Sequence, residues 1–111
     1  MNTTHTPQQI DLAFAPDMRG AVLSGRKHCT TRRKVKGTVG DFFPINGKKY
    51  RIIAIYPSTL CDVERLLYCA EGFISPAAFR FRWRELHNGT FNPGEQVYVH
   101  WFTAIQPEVQ V

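Results

Sequence analysis

The run Gly25-Arg26-Lys27-His28-Cys29-Thr30-Thr31-Arg32 puts an amine, hydroxyls, a thiol and guanidinium groups within one short stretch. If it is extended, its side chains alternate: Thr30 and Arg32 project from one face, Thr31 and Arg33 from the other. Lys27, at the turn before them, is placed to fold back toward Thr30 and Arg32. A hydroxyl, an amine and a guanidinium within reach of one another make a nucleophilic constellation. Threonine is a weak nucleophile and needs a neighbouring base. An amine serves as that base only in its free form, toward which burial and the cations Arg26 and Arg32 push it. A plain basic strand, with threonine there for its strand preference, has the same composition.

Glu71-Gly72-Phe73 supplies a second group. Glu71 follows an apolar helical pattern and is expected near its C-terminal end. The helix dipole is negative there, so a carboxylate is disfavoured by a few tenths to ~1 kcal/mol unless a cation compensates. Lys27 would be such a cation. A surface glutamate before a capping glycine is the alternative.

Phe42, Phe43, Tyr50, Tyr56, Tyr98 and Trp101 form an aromatic set beside the basic stretch. Such residues stack nucleobases when exposed, but on barrel strands they more often fill the core. Cys29, Cys61 and Cys69 make an odd count without a C-x-x-C pair, which favours free thiols over a disulfide framework. Cys29 lacks an evident histidine–acid arrangement and reads as a small buried hydrophobe. His5, His28, His87 and His100 are scattered, so no metal site is expected.

The elements that must position these groups are marked by proline and glycine. Ile10 to Phe14 reads as a short strand. Pro16 opens a helix through Met18, Ala21 and Val22 that Gly25 stops. His28 to Arg33 looks extended. Gly37 and Gly40 bracket a loop into Asp41–Ile45, and Asn46-Gly47 is a hairpin turn into Lys49–Tyr56. Ser58 or Thr59 caps a helix whose Val63, Leu66, Leu67 and Ala70 share a face, ended by Gly72. Ser75-Pro76 opens another, with Phe79, Trp83 and Leu86 on one face and Asn88-Gly89 as its stop. Gln96–Ile105 is the last strand. A strand at each end suggests a sheet closing on itself with helices over one opening, a small barrel of mixed α and β class.

The chain has 111 residues and a formal net charge of +5. That length fits a single domain, 1–111, with residues 1–9 as a flexible N-terminal extension. Its 43% hydrophobic and 21% charged content argues against disorder. No apolar run approaches the ~20 residues of a membrane-spanning helix. The N-terminus has no signal core, which points to the cytoplasm and no membrane partner. Charge is concentrated: residues 26–51 carry +8, whereas 1–25 carry −1 and 52–111 carry −2. The partners this suggests are phosphates, nucleic acid or acidic ligands.

Gly25-x-Lys27-x-x-Thr30-x-Arg32, then Gly40-Asp41, then Glu71-Gly72-Phe73, then Val97-Tyr98-Val99-His100-Trp101-Phe102, resembles the ASCH family of the PUA-like superfamily. The resemblance runs from about Phe14 to Phe102 and implies an α+β fold: a small mixed β-barrel with flanking helices. Among short, single-domain members it is similar to bacterial amidohydrolases that remove the acetyl group from N4-acetylcytidine. It then implies Lys27, Thr30 and Glu71 as catalytic residues. Arg32 would meet substrate or the developing oxyanion, with Arg26 as a second substrate-binding cation. It implies a nucleoside substrate, no metal or organic cofactor, and a monomer. Glu-Gly-Phe departs from that branch. Other members are implied to bind RNA, so an RNA-binding module using segment 26–51, or an RNA-cleaving enzyme using the same lysine and glutamate, is the alternative.

Overall fold

Proline at a helix start and left-handed glycine at its end set the first element, α1 (Pro16–Leu23), closed by Gly25 at a φ of 80°. The computed structural model, which describes residues 5–106, continues with β1 (Cys29–Arg32), β2 (Phe42–Ile45) and β3 (Lys48–Thr59). Two helices, α2 (Leu60–Leu66) and α3 (Pro76–Leu86), precede the final strand, β4 (Gln96–Ala104). The strands form one antiparallel sheet in the order β1-β4-β3-β2, curled into a half-barrel. The fold is therefore α+β as expected. Asn46 and Gly47 turn β2 into β3 with positive φ at both positions, which a two-residue hairpin requires. β3 slips its register against β4 between Ile52 and Ala54, and such a bulge bends a strand.

Alternation on β4 divides the interior. Val97 and Val99 face α2 and α3, in a cluster with Cys29, Leu60, Val63, Phe79 and Trp83. Phe102 lies on the opposite face, inside the curl, with Leu12, Val22, Phe43, Ile45, Tyr50 and Ile52. One strand thus serves two cores because its period is two. Of the aromatic set, Phe43 and Tyr50 are core, whereas Tyr56 is 60% exposed.

Two expectations change. The strand at Ile10–Phe14 is reduced to one parallel bridge, Gln9 with Phe42, where Phe42 N–H donates to Gln8 O at 3.0 Å and Ile10 N–H to Phe42 O at 2.8 Å. Leu12 and Phe14 turn inward to pack instead of continuing a ladder. Nearby, His5 Nε2–H and Gln8 N–H both donate to the Asp41 carboxylate, at 2.6 and 2.9 Å; residues 1–4 of the expected extension lie outside the described part. Finally, α2 stops at Leu66, short of Gly72, and leaves Leu66 65% exposed. The apolar spacing continues through a hydrogen-bonded turn that is no longer helical.

His100, completely buried on the inner face of β4, fixes the loop after β1. Its Nε2 accepts from Lys36 N–H at 2.9 Å, so Nδ1 carries the proton and donates to Tyr98 O at 3.1 Å. Burial, helped by the Arg32 charge, holds its pKa below the ordinary histidine value. A histidine with a depressed folded pKa contributes stability that is complete above its unfolded value and is lost as pH falls below it. The melting temperature should therefore drop as pH is lowered from about 7 to 5, across the ordinary titration near ~6.5. A His100→Gln variant, compared over the same series by thermal denaturation, should show a shallower drop.

Candidate active site

The end of α1 and the start of β1 are joined by a tight connection in which Arg26 N–H and Lys27 N–H both donate to Ala21 O, at 2.9 and 3.0 Å. This turns the Lys27 side chain inward. A second turn, after α2, is closed by Glu71 N–H to Leu67 O and Phe73 N–H to Tyr68 O, both at 2.9 Å. The two turns meet where His28 N–H donates to Ala70 O at 2.7 Å. Gly72, at a φ of 93°, is required at this meeting: an added Cβ would lie 3.2 Å from Lys27 Cβ and 3.3 Å from Ala21 Cβ.

There Lys27 Nζ donates to Glu71 Oε1 at 2.9 Å and to Glu71 O at 2.8 Å. The two side chains are only 3% and 4% exposed. Glu71 Oε2 accepts from Thr31 Oγ1–H at 2.5 Å, so both carboxylate oxygens are engaged. Cys29 Sγ lies 3.9 Å from the same oxygen; burial first, and then the Glu71 charge, push its thiol pKa far up. A thiol held protonated is a poor nucleophile.

Lys27 and Glu71 thus meet as the sequence suggests, but on a different face of β1. The hydroxyl bound to the pair is Thr31, which shares the helix-side face with Cys29. Thr30 and Arg32 share the inner face with His100, and Arg32 Nη2–H donates to Thr30 Oγ1 at 3.3 Å and to Ala13 O at 2.7 Å. Thr31 was hidden in the sequence because alternation tells which residues share a face but not toward which face Lys27 folds. Arg26 is not in the site: it is exposed, and its Nε donates to Ser24 Oγ at 3.3 Å. Glu71 lies five residues beyond α2, so the helix dipole is not what its charge answers to.

Lys27, Thr30, Thr31, Arg32 and Glu71 all line one cleft of about 590 Å³. It runs along the free edge of β1. Phe102 N–H donates to His28 O, so by the antiparallel alternation the even residues of β1 bond to β4, and Thr31 N–H and C=O point outward to that edge. One wall is Ala13–Ala15 and Met18; the other is Phe79, Trp83 and Arg82 of α3. Arg82 ties the walls together, its two terminal nitrogens on the Asp17 carboxylate at 3.0 and 2.6 Å. That fork holds the Asp17 pKa below the usual carboxylate range. No helix in the described residues is long and apolar enough to cross a membrane.

No family model and no curated protein matches the sequence. Solved structures do match the fold. An ASCH domain from Lactobacillus crispatus superposes with a TM-score of 0.64 at 14% identity, covering 90% of this chain and 80% of that one. A protein from Enterococcus faecalis gives 0.57 at 15% identity, with 95% and 83% covered. ASCH from Zymomonas mobilis gives 0.59 at 16% identity, with 86% and 66% covered. The chain therefore has the ASCH-domain fold.

Removing one partner of a buried pair strands the other charge, so Lys27→Met should destabilise the protein by about 3–5 kcal/mol in urea denaturation. Adding Glu71→Met should recover part of that loss, because no lone charge then remains, although Thr31 loses its acceptor.

Proposed function

We propose that this chain is an amidohydrolase that removes the acyl group from N4-acetylcytidine and related N4-acylcytosine nucleosides, through a threonine ester. The observation that carries the reading is the buried Lys27–Glu71 pair opening on a cleft that Thr30 and Arg32 also line. The ASCH fold, and the match of Lys27, Thr30 and Glu71 to the amidohydrolase pattern, support it.

In the scheme, Thr30 Oγ attacks the acyl carbonyl carbon, and its proton passes to Lys27 Nζ through a water in the cleft that both line. Water carries it because the two side chains approach from opposite faces of β1 and share no hydrogen bond. The reactive form is the one in which the Lys27 ammonium of the ion pair has first given up a proton to solvent, which leaves two N–H groups and one lone pair. Two donors are what Glu71 accepts, through Oε1 and its backbone oxygen, which leaves the lone pair for the incoming proton. Glu71, held in turn by Thr31, keeps the amine oriented. The outward Thr31 N–H faces the developing oxyanion, a contribution of ~3–4 kcal/mol for such a donor. The bond between carbonyl carbon and N4 then breaks, the proton on Lys27 goes to the departing N4 amine, and cytidine leaves. Water attacks the ester, acetate is released, and Thr30 recovers its proton. No cofactor enters the scheme.

Ultraviolet absorbance of N4-acetylcytidine tests it. Wild type should convert it to cytidine, and Thr30→Ala should not. Lys27→Arg, which keeps a cation beside Glu71 but removes the base, should be at least ~100-fold slower, the low end of what a general base provides. Circular dichroism of each variant shows whether it is folded. Conversion by Thr30→Ala at the wild-type rate rejects Thr30 as the nucleophile. Absence of conversion by wild type overturns the amidohydrolase reading in favour of RNA binding through segment 26–51, whose mark is affinity that falls steeply with salt.

A further inference from the structure

Charge on the cleft is unbalanced. Lys27, Arg33 and Arg82 each meet a carboxylate, respectively Glu71, Glu95 and Asp17. Arg32, Lys34 and Lys36 line the same cleft and meet none among the described residues. Glu71, already engaged at both oxygens, is the cleft's only carboxylate among those residues. Two further donors are orphaned: Arg32 Nε and Trp83 Nε1 are buried without an acceptor. Trp83 is only 5% exposed, and it lines the cleft from the wall opposite Phe14. A guanidinium and an indole N–H donate and never accept. Orphaned buried donors are destabilising, and the Arg32 guanidinium in particular keeps its charge at a cost that a nearby anion would lower.

These groups are held in place. The Arg32 guanidinium lies over the Phe14 ring at 5.3 Å and is pinned at Nη2 by Ala13 O. Lys36 sits on a loop whose backbone N–H is fixed to the buried His100. Burial works against the Arg32 charge, and an anion would compensate for it. A guanidinium presents a fork that matches phosphate, and lysines add point charges around it.

We propose that the cleft takes a phosphorylated nucleoside, with its phosphoryl group on Arg32, Lys34 and Lys36 and its base among the aromatic residues of the α3 wall. The identity of the acyl group rests on the amidohydrolase reading; the phosphoryl subsite does not. A volume of about 590 Å³ accommodates a mononucleotide. The same phosphoryl chemistry is offered by a mononucleotide or by a phosphodiester within an oligonucleotide.

The test compares N4-acetylcytidine, N4-acetylcytidine 5′-monophosphate and a short oligoribonucleotide containing N4-acetylcytidine as substrates. Alongside, calorimetry compares cytidine with cytidine 5′-monophosphate as ligands of wild type and of the surface double variant Lys34→Glu with Lys36→Glu. The phosphorylated substrate should be favoured in kcat/KM by ~10–100-fold, the range of a charge-assisted contact, and the preference should shrink with added salt. The double variant should collapse it toward equality. Preference for the mononucleotide or for the oligonucleotide identifies the source. If wild type hydrolyses the nucleoside with no preference for phosphate, and the double variant changes nothing, the subsite is overturned while the amidohydrolase reading stands. If nothing is hydrolysed but cytidine 5′-monophosphate outbinds cytidine only in wild type, the amidohydrolase reading fails and the subsite stands. Equal binding of the two ligands with no hydrolysis overturns both.

Discussion

Two opposite charges withdrawn from water must complete each other, and much of this fold's local geometry follows from that requirement. The Lys27 ammonium group and the Glu71 carboxylate are almost fully buried. In that setting attraction offsets dehydration only if the remaining donors and acceptors are filled. The backbone oxygen of Glu71 takes one N–H of the lysine, and Thr31 fills the second carboxylate oxygen. To bring the pair together, α1 must end abruptly at Gly25, and the chain after α2 must turn twice before α3. Gly72 must be bare where it crosses the lysine stem. The pair is therefore a joint between the first and second halves of the chain as well as a chemical group.

Much of the fold could be read in the sequence because its punctuation is local. Pro16, Asn46-Gly47, Ser75-Pro76 and Asn88-Gly89 each act within a few residues, and each marks a boundary that the structure has. Thr59 and Ser75 cap α2 and α3 through their hydroxyls. What could not be read depends on distant partners. The apolar spacing from Val63 to Ala70 looks helical, yet the chain leaves the helix at Leu66 because the turn that follows must reach β1. The single bridge at Gln9 needs Phe42 beside it, which no local signal announces.

The same division applies to the site. Lys27 and Glu71 were legible as an amine and an oddly placed acid that answer each other. Which threonine joins them was not, since that depends on the direction in which Lys27 enters the core. Arg26 and Arg32 are equally basic in sequence, but one is exposed beside Ser24 and the other is sandwiched against Phe14. Charge density along the chain located the basic region; only packing separates the cations held by acids from those left without one.

The sheet is an incomplete barrel, and its missing closure falls at β1. Thr30 and Thr31 point to opposite faces, yet both line one cleft because, among the described residues, no strand continues the sheet beyond them. A fifth strand laid along that edge would satisfy the outward amide of Thr31 and fill the space between the walls. Any ligand in the cleft occupies the seat of that absent strand. The opening is thus a consequence of leaving the barrel unfinished, and a mutation that extended the sheet would strengthen the scaffold and abolish the cavity in the same stroke.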